Sequence, residues 1–202
     1  MTYQPKDAFY RRAKKEGYRS RAAYKLLELN QRFRLIRPGD RVVDLGAAPG
    51  GWLKVAAQMT GVKGKVLGVD IQPIAAFHEP NIIVLQSDIT AAETTEKIRK
   101  LLGSMVDCVL SDLSPRLTGI HHADVSRSIE LARMALNVAC RLLRPGGNFL
   151  VKTFMGEELS AFSMEFKADF LSVQRTRPEA SRKGSSEIYL CAKGFRRPHV
   201  QG

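Results

Sequence analysis

The stretch Val42-Val43-Asp44-Leu45-Gly46-Ala47-Ala48-Pro49-Gly50-Gly51-Trp52 constrains the fold of this chain more than any other. A β-branched pair running into Asp44 reads as a buried parallel strand, and glycines at 46, 50 and 51 let the backbone turn sharply and approach a ligand. Strand, acidic strand end and glycine-rich turn in direct succession point to a nucleoside-cofactor site on an α/β sheet. A phosphate-binding P-loop would need Lys and then Ser or Thr after its last glycine, but Trp52 and Leu53 stand there. The turn also departs from the dinucleotide pattern Gly-x-Gly-x-x-Gly, since positions 46, 48 and 51 read Gly-x-Ala-x-x-Gly with a proline inside.

The rest of the chain supplies a sheet to carry that turn. Strand-like apolar runs fall at Arg41–Leu45, Val66–Asp70, Ile82–Gln86, Val106–Ser111, Asn148–Lys152, Leu171–Arg175 and Ile188–Ala192. Helical spacing falls at Arg19–Phe33, Trp52–Met59, Thr94–Leu102, Ser126–Leu143 and Leu159–Phe170. Strands alternating with helices predict an α/β fold with a parallel sheet covered on both faces, and ligands at the carboxyl ends of the strands. Turn signals at Lys63-Gly64, Arg144-Pro145-Gly146-Gly147 and Arg182-Lys183-Gly184-Ser185 agree with these breaks. At 202 residues and 44% hydrophobic, the chain is expected to form one domain over 1–202, with a basic segment at 1–25 leading into it.

Met1-Thr2-Tyr3-Gln4-Pro5 lacks the apolar stretch of a secretory signal, and no apolar run reaches about 18 residues, so a cytoplasmic protein without membrane contact is expected. Cys108, Cys140 and Cys191 are odd in number and widely spaced, which fits buried free thiols rather than a disulfide framework. His78, His121, His122 and His199 lack ligand spacing, so no metal is expected, and the adjacent pair reads as part of a loop.

The net charge of +12 gathers at two ends. Residues 6–25 hold eight Lys or Arg against Asp7 and Glu16, and residues 171–202 hold seven against Glu179 and Glu187. Either segment alone would serve as a solvated basic face. Two such segments around a neutral core, the first interleaved with Phe9, Tyr10, Tyr18 and Tyr24, suit a polyanion whose unpaired bases stack, and RNA rather than DNA is the expected partner.

Asp44, Asp70, Asp88 and Asp112 each fall at or just past a strand end, and in a parallel sheet these ends converge. Asp70 stands where an acidic side chain accepts hydrogen bonds from ribose hydroxyls, and Asp88 is placed to meet an adenine amine. Asp124 reads as a helix-starting residue.

With these acids, five motifs carry a resemblance: Arg19-Ser20-Arg21-Ala22-Ala23-Tyr24-Lys25-Leu26, Asp44 to Trp52, Ser111-Asp112-Leu113-Ser114-Pro115, Phe149-Leu150-Val151-Lys152-Thr153-Phe154 and Ser185-Ser186-Glu187-Ile188-Tyr189. In this order, across about residues 10–195, the chain resembles the FtsJ/RrmJ family of RNA ribose 2′-O-methyltransferases. The resemblance implies a class I S-adenosylmethionine-dependent methyltransferase (Rossmann-like) fold, with a seven-stranded, mostly parallel sheet whose last strand runs antiparallel. It implies S-adenosyl-L-methionine as cofactor, contacted by Gly50, Trp52, Asp70, Asp88 and Asp112, with packing against the sheet as the competing role for Trp52. It carries a catalytic tetrad onto Lys25, Asp112, Lys152 and Glu187, with Lys152 as the base. The expected substrate is a uridine ribose in large-subunit ribosomal RNA, methylated by a monomer.

Methyl transfer from a sulfonium is an in-line displacement, so the enzyme mainly holds the hydroxyl oxygen against the methyl group. A free lysine is protonated at neutral pH, so a lysine base must be made less basic. Burial and a second ammonium, Lys25, are expected to do this for Lys152, while Asp112 and Glu187 orient the lysines and the ribose. Other chemistries fit less well: Leu113-Ser114-Pro115 lacks the Pro-Pro-aromatic tail of base N-methyltransferases, and the nearest cysteine, Cys108, lies inside a strand rather than in the loop of a cytosine C5-methyltransferase. A nicotinamide-dependent oxidoreductase shares the fold class but leaves the basic ends and both lysines unexplained. A tRNA 2′-O-methyltransferase and a non-catalytic RNA-binding assembly factor remain as alternatives.

Overall fold

The computed structural model describes residues 8–182 and 184–196. Met1 to Asp7, Lys183, Arg197 and His199 therefore lie outside the described residues, and with them parts of both basic segments. The elements in chain order are α1 (Ala8–Lys15), α2 (Ala22–Phe33), β1 (Arg41–Leu45), α3 (Gly51–Thr60), β2 (Lys65–Asp70), β3 (Ile82–Gln86), α4 (Ala92–Leu102), β4 (Val106–Ser111), α5 (His121–Leu142), β5 (Leu143–Phe154), α6 (Leu159–Asp169), β6 (Phe170–Thr176) and β7 (Glu187–Phe195).

One seven-stranded sheet has the order β3-β2-β1-β4-β5-β7-β6. The pairs from β3 through β5 are parallel, and β7 runs antiparallel to both β5 and β6. Alternation along each strand sends successive side chains to opposite faces. Val43, Leu45, Val109, Phe149, Val151 and Leu190 meet the apolar sides of α4, α5 and α6, with Phe149 stacked on Phe166. Val42, Val66, Leu110, Leu150, Tyr189 and Cys191 meet α2 and α3 on the other face. Cys108 and Cys191 are buried, Cys140 is half-buried, and all three are free thiols.

Among the departures from the sequence reading, four have an identifiable cause. Helix α1 was not expected, because the basic segment at 8–15 buries only Ala13 and so carries no apolar stripe long enough to read. Helix α5 begins at His121 rather than Ser126, which puts His121 and His122 in a helix instead of a loop. The Asp124 carboxylate causes this: it accepts N–H donors from Thr118 at 2.8 Å and Gly119 at 3.2 Å, and so holds the preceding loop against the helix start. Strand β5 begins at Leu143, which pairs with Val106, and the register then shifts before Cys108 pairs with Asn148. Pro145-Gly146-Gly147 is thus an irregularity inside a strand rather than its boundary. Helix α6 stops at Asp169, because Phe170 pairs with Phe195 as the first residue of β6.

Candidate active site

The glycine turn is held from three directions. Gly46 and Ala47 donate to the Val69 carbonyl at 2.9 and 3.2 Å, and Ala48 donates to Asp70 Oδ2 at 2.9 Å. The other Asp70 oxygen accepts from the Gln72 N–H at 2.8 Å, so this carboxylate braces both the turn and the chain leaving β2. Gly50 starts α3 with φ 104°, and the Phe77 ring lies where its Cβ would stand. At Gly51 the Ser20 hydroxyl takes that space. Arg19 bridges the layers, donating to the Pro49, Ala75 and Ala76 carbonyls while its guanidinium covers Phe77 at 3.4 Å.

Trp52 is buried and its indole N–H donates to the Ala22 carbonyl at 2.8 Å. It therefore ties the glycine turn to the start of α2, the helix that carries Lys25, and it also lines the cleft between turn and helix. Ser20, Asp44, Gly46 and Asp112 line that narrow cleft as well. Asp44 Oδ1 is buried with no hydrogen-bond partner, as is the Ser111 hydroxyl on the neighbouring strand. Burial, with help from Asp112 and Asp70, holds the Asp44 carboxyl well above its ordinary pKa. Asp88 lies apart, at the exposed turn after β3, where its Oδ1 accepts from the Thr90 N–H and hydroxyl at 2.8 Å each. Those bonds hold its pKa below the usual carboxylate range.

The four tetrad positions sit at one end of the sheet. Asp112 follows β4, Lys152 lies near the end of β5, and Glu187 opens β7, where it pairs with Phe154. Lys25 comes from α2, above the sheet. They form two ion pairs: Lys152 Nζ to Asp112 Oδ1 at 3.1 Å, and Lys25 Nζ to Glu187 Oε2 at 2.7 Å. Both ammonium groups are nearly enclosed, with side-chain exposures of 4% for Lys152 and 9% for Lys25. Lys152 Nζ also donates to the Asp112 carbonyl at 2.9 Å, so a single residue grips it twice. Enclosed charges of this kind need such partners, because an unpaired ammonium there would lack compensation for lost hydration.

Tyr189 joins the two pairs, and sequence reasoning gave it no role. Its hydroxyl donates to Asp112 Oδ1 at 2.9 Å, and its ring faces Lys25 Nζ at 5.6 Å. Burial, then the negative charges of Asp112 and Glu187, pushes its pKa well up, so it stays a donor. The signal was its place two residues after Glu187 on one strand, which puts both side chains on the same face.

The arrangement joins a ligand cradle with buried polar atoms to two enclosed lysine–carboxylate pairs. The FtsJ-like methyltransferase family profile matches residues 18–195. The chain is 51% identical over 193 residues to the ribosomal RNA large subunit methyltransferase E of Methanothrix thermoacetophila, covering 96% of this chain and 74% of that protein. It is 49% identical to the protein of the same name from Archaeoglobus fulgidus, covering 95% and 97%. Among solved structures, a putative ribosomal RNA methyltransferase from Plasmodium falciparum superposes with a TM-score of 0.80 at 28% identity, covering 88% of this chain and 98% of that one. A fibrillarin/Nop5p complex shares the fold alone, at TM-score 0.62 and 20% identity. Matched over nearly all of its described length and paired with relatives at about half identity, this chain belongs to the FtsJ-like methyltransferase family.

Proposed function

We propose that this protein methylates the 2′-hydroxyl of an RNA ribose, a uridine of large-subunit ribosomal RNA, with S-adenosyl-L-methionine as donor. One observation carries the reading: Lys25, Asp112, Lys152 and Glu187, scattered along the chain, converge as two enclosed ion pairs beside the glycine turn. The names of the relatives support the ribosomal substrate. The residues present fit the donor. Gly50 and Gly51 bring backbone to the cleft, the orphaned Asp44 Oδ1 accepts from an amino group, and Asp70 keeps lone pairs for ribose hydroxyls. Gly50, Trp52, Asp70, Asp88 and Asp112 are its proposed contacts. S-adenosylmethionine supplies an electrophilic methyl group on its sulfonium.

The protein's own groups do the rest. Lys152 takes the proton of the ribose hydroxyl as the oxygen attacks, which requires that Nζ first give up a proton from its ion pair with Asp112. Asp112 holds Lys152 Nζ through both its carbonyl and its carboxylate, and Tyr189 holds that carboxylate. Glu187 holds Lys25 toward the same end of the sheet. Orientation of this kind is where most of the rate would come from, since aligned reactants avoid the entropy of a chance encounter.

The test is methyl incorporation into large-subunit particles by wild type and Lys152→Ala, with the product mapped for 2′-O-methyl nucleotides. Transfer to a uridine ribose by wild type, lost in Lys152→Ala while S-adenosylmethionine still binds, is the expected result. Wild-type methylation of a base, or equal activity in the variant, would overturn the reading.

A further inference from the structure

Lys25 and Glu187 meet at 2.7 Å although they belong to different layers, one to α2 and one to β7. In the loop between β6 and Glu187, Glu179 and Ala180 rest on α2, while the Ser186 carbonyl accepts from the Met155 N–H just past β5 at 2.8 Å. Glu28 lies one turn beyond Lys25, and its Oε2 accepts from two successive backbone N–H groups of that loop, Glu179 at 2.8 Å and Ala180 at 3.5 Å. Arg21, one turn before Lys25, donates to the carbonyl of the same Ala180 at 2.5 Å. Ala180 itself packs on Tyr24. Residues 21, 24, 25 and 28 form a single stripe of α2, by the three- and four-residue spacing of helix neighbours. The stripe thus seizes the loop on both sides of Lys25. Arg32 approaches the other Glu28 oxygen at 3.8 Å and leaves Oε2 to the loop.

We propose that Glu28 is a positioning residue for methyl transfer: by stapling Glu179 and Ala180 to α2 it fixes the distance between Lys25 and Glu187. It touches neither substrate nor cofactor and acts through that pair. The inference rests on the proposed role of the tetrad, and its test separates the two. Single-turnover methyl transfer is measured with saturating S-adenosylmethionine and large-subunit particles for wild type, Glu28→Ala and Glu28→Gln. Glu28→Ala is expected to lose roughly 30- to 100-fold in rate, the scale of an ångström of misplacement, with both binding constants within about twofold of wild type. Glu28→Gln restores most of the rate, since its amide oxygen accepts the same N–H groups. On a Lys25→Ala background, Glu28→Ala costs nothing further, because the pair it positions is already gone.

A wild-type rate in Glu28→Ala, a loss that appears only in binding, or losses that multiply with Lys25→Ala would each overturn the proposal. Should wild type transfer no methyl to ribose, the functional reading fails instead. The crystal structure of Glu28→Ala then decides: a Lys25–Glu187 pair unchanged in length overturns the staple, and a broken one upholds it.

Discussion

Lys152 and Lys25 are individually ordinary in sequence, and only their partners make them otherwise. Neither carboxylate could be assigned to a lysine from spacing: the motifs named four residues, and the fold sorted them into pairs 40 and 162 positions apart. Tyr189 escaped because a tyrosine inside a strand reads as core until its hydroxyl finds Asp112. Tyr189→Phe removes that one donor and keeps the ring on Trp52. The expected cost is about 0.5–1.5 kcal/mol of stability. A several-fold drop in single-turnover rate should accompany it, with binding of S-adenosylmethionine unchanged, as measured by denaturant unfolding and rapid quench. Asp44 yields a prediction in pH. Its carboxyl is raised when folded, so the folded state holds a proton that the unfolded state releases, and stability falls as pH rises from the ordinary carboxylate range, about 4, toward the raised value. Asp44→Asn carries no such proton. Thermal unfolding of the ligand-free protein should show the variant gaining on wild type over the range in which pH rises above about 4. A constant difference across that range would mean Asp44 is ionised in the fold.

Elements with a strong period were legible, and those fixed by tertiary contacts were not. Strands β1, β3 and β4 fall where the apolar runs place them, since each is buried or half-buried between helices. Strand β5 shows the limit: Arg144-Pro145-Gly146-Gly147 has the composition of a turn, yet Leu143 pairs with Val106, and the strand runs through. The early start of α5 has the same origin, for Asp124 works through a loop rather than through the helix pattern. Its pKa is held low, chiefly by the Thr118 N–H and then the Thr118 hydroxyl. A lowered carboxylate stabilises above its unfolded pKa, and the gain disappears as pH falls through the folded value. Asp124→Ala should therefore unfold at lower temperature than wild type at pH 7, and the two should converge as the solution is acidified below about pH 4. Failure to converge would assign the loss to packing instead of to the charged cap.

At the scale of the whole molecule, the two basic segments counted separately along the chain meet at one point. Ala13 of α1, Tyr24 of α2 and Ala180 of the β6–β7 loop form a small core of their own, lined by Phe9, Tyr18 and Leu27. Nothing in the sequence marks two alanines about 170 positions apart as partners, so the charge was readable and its convergence was not. Exposed Arg11, Lys14 and Lys15 flank Ala13 on the α1 side, and exposed Arg177 lies three residues before Ala180 on the loop side. If both sides hold one RNA strand, each lost phosphate contact removes released counterions, and the slope of log affinity against log salt falls by about 0.7 per contact on single strands. Lys14→Gln with Lys15→Gln, and separately Arg177→Gln, should each flatten that slope for the same large-subunit RNA fragment, measured by filter binding over a salt series. Affinity for S-adenosylmethionine should not move, because these side chains lie outside the cleft. A slope flattened by only one of the two sets would mean that the segments, although joined through Tyr24, do not grip the same RNA.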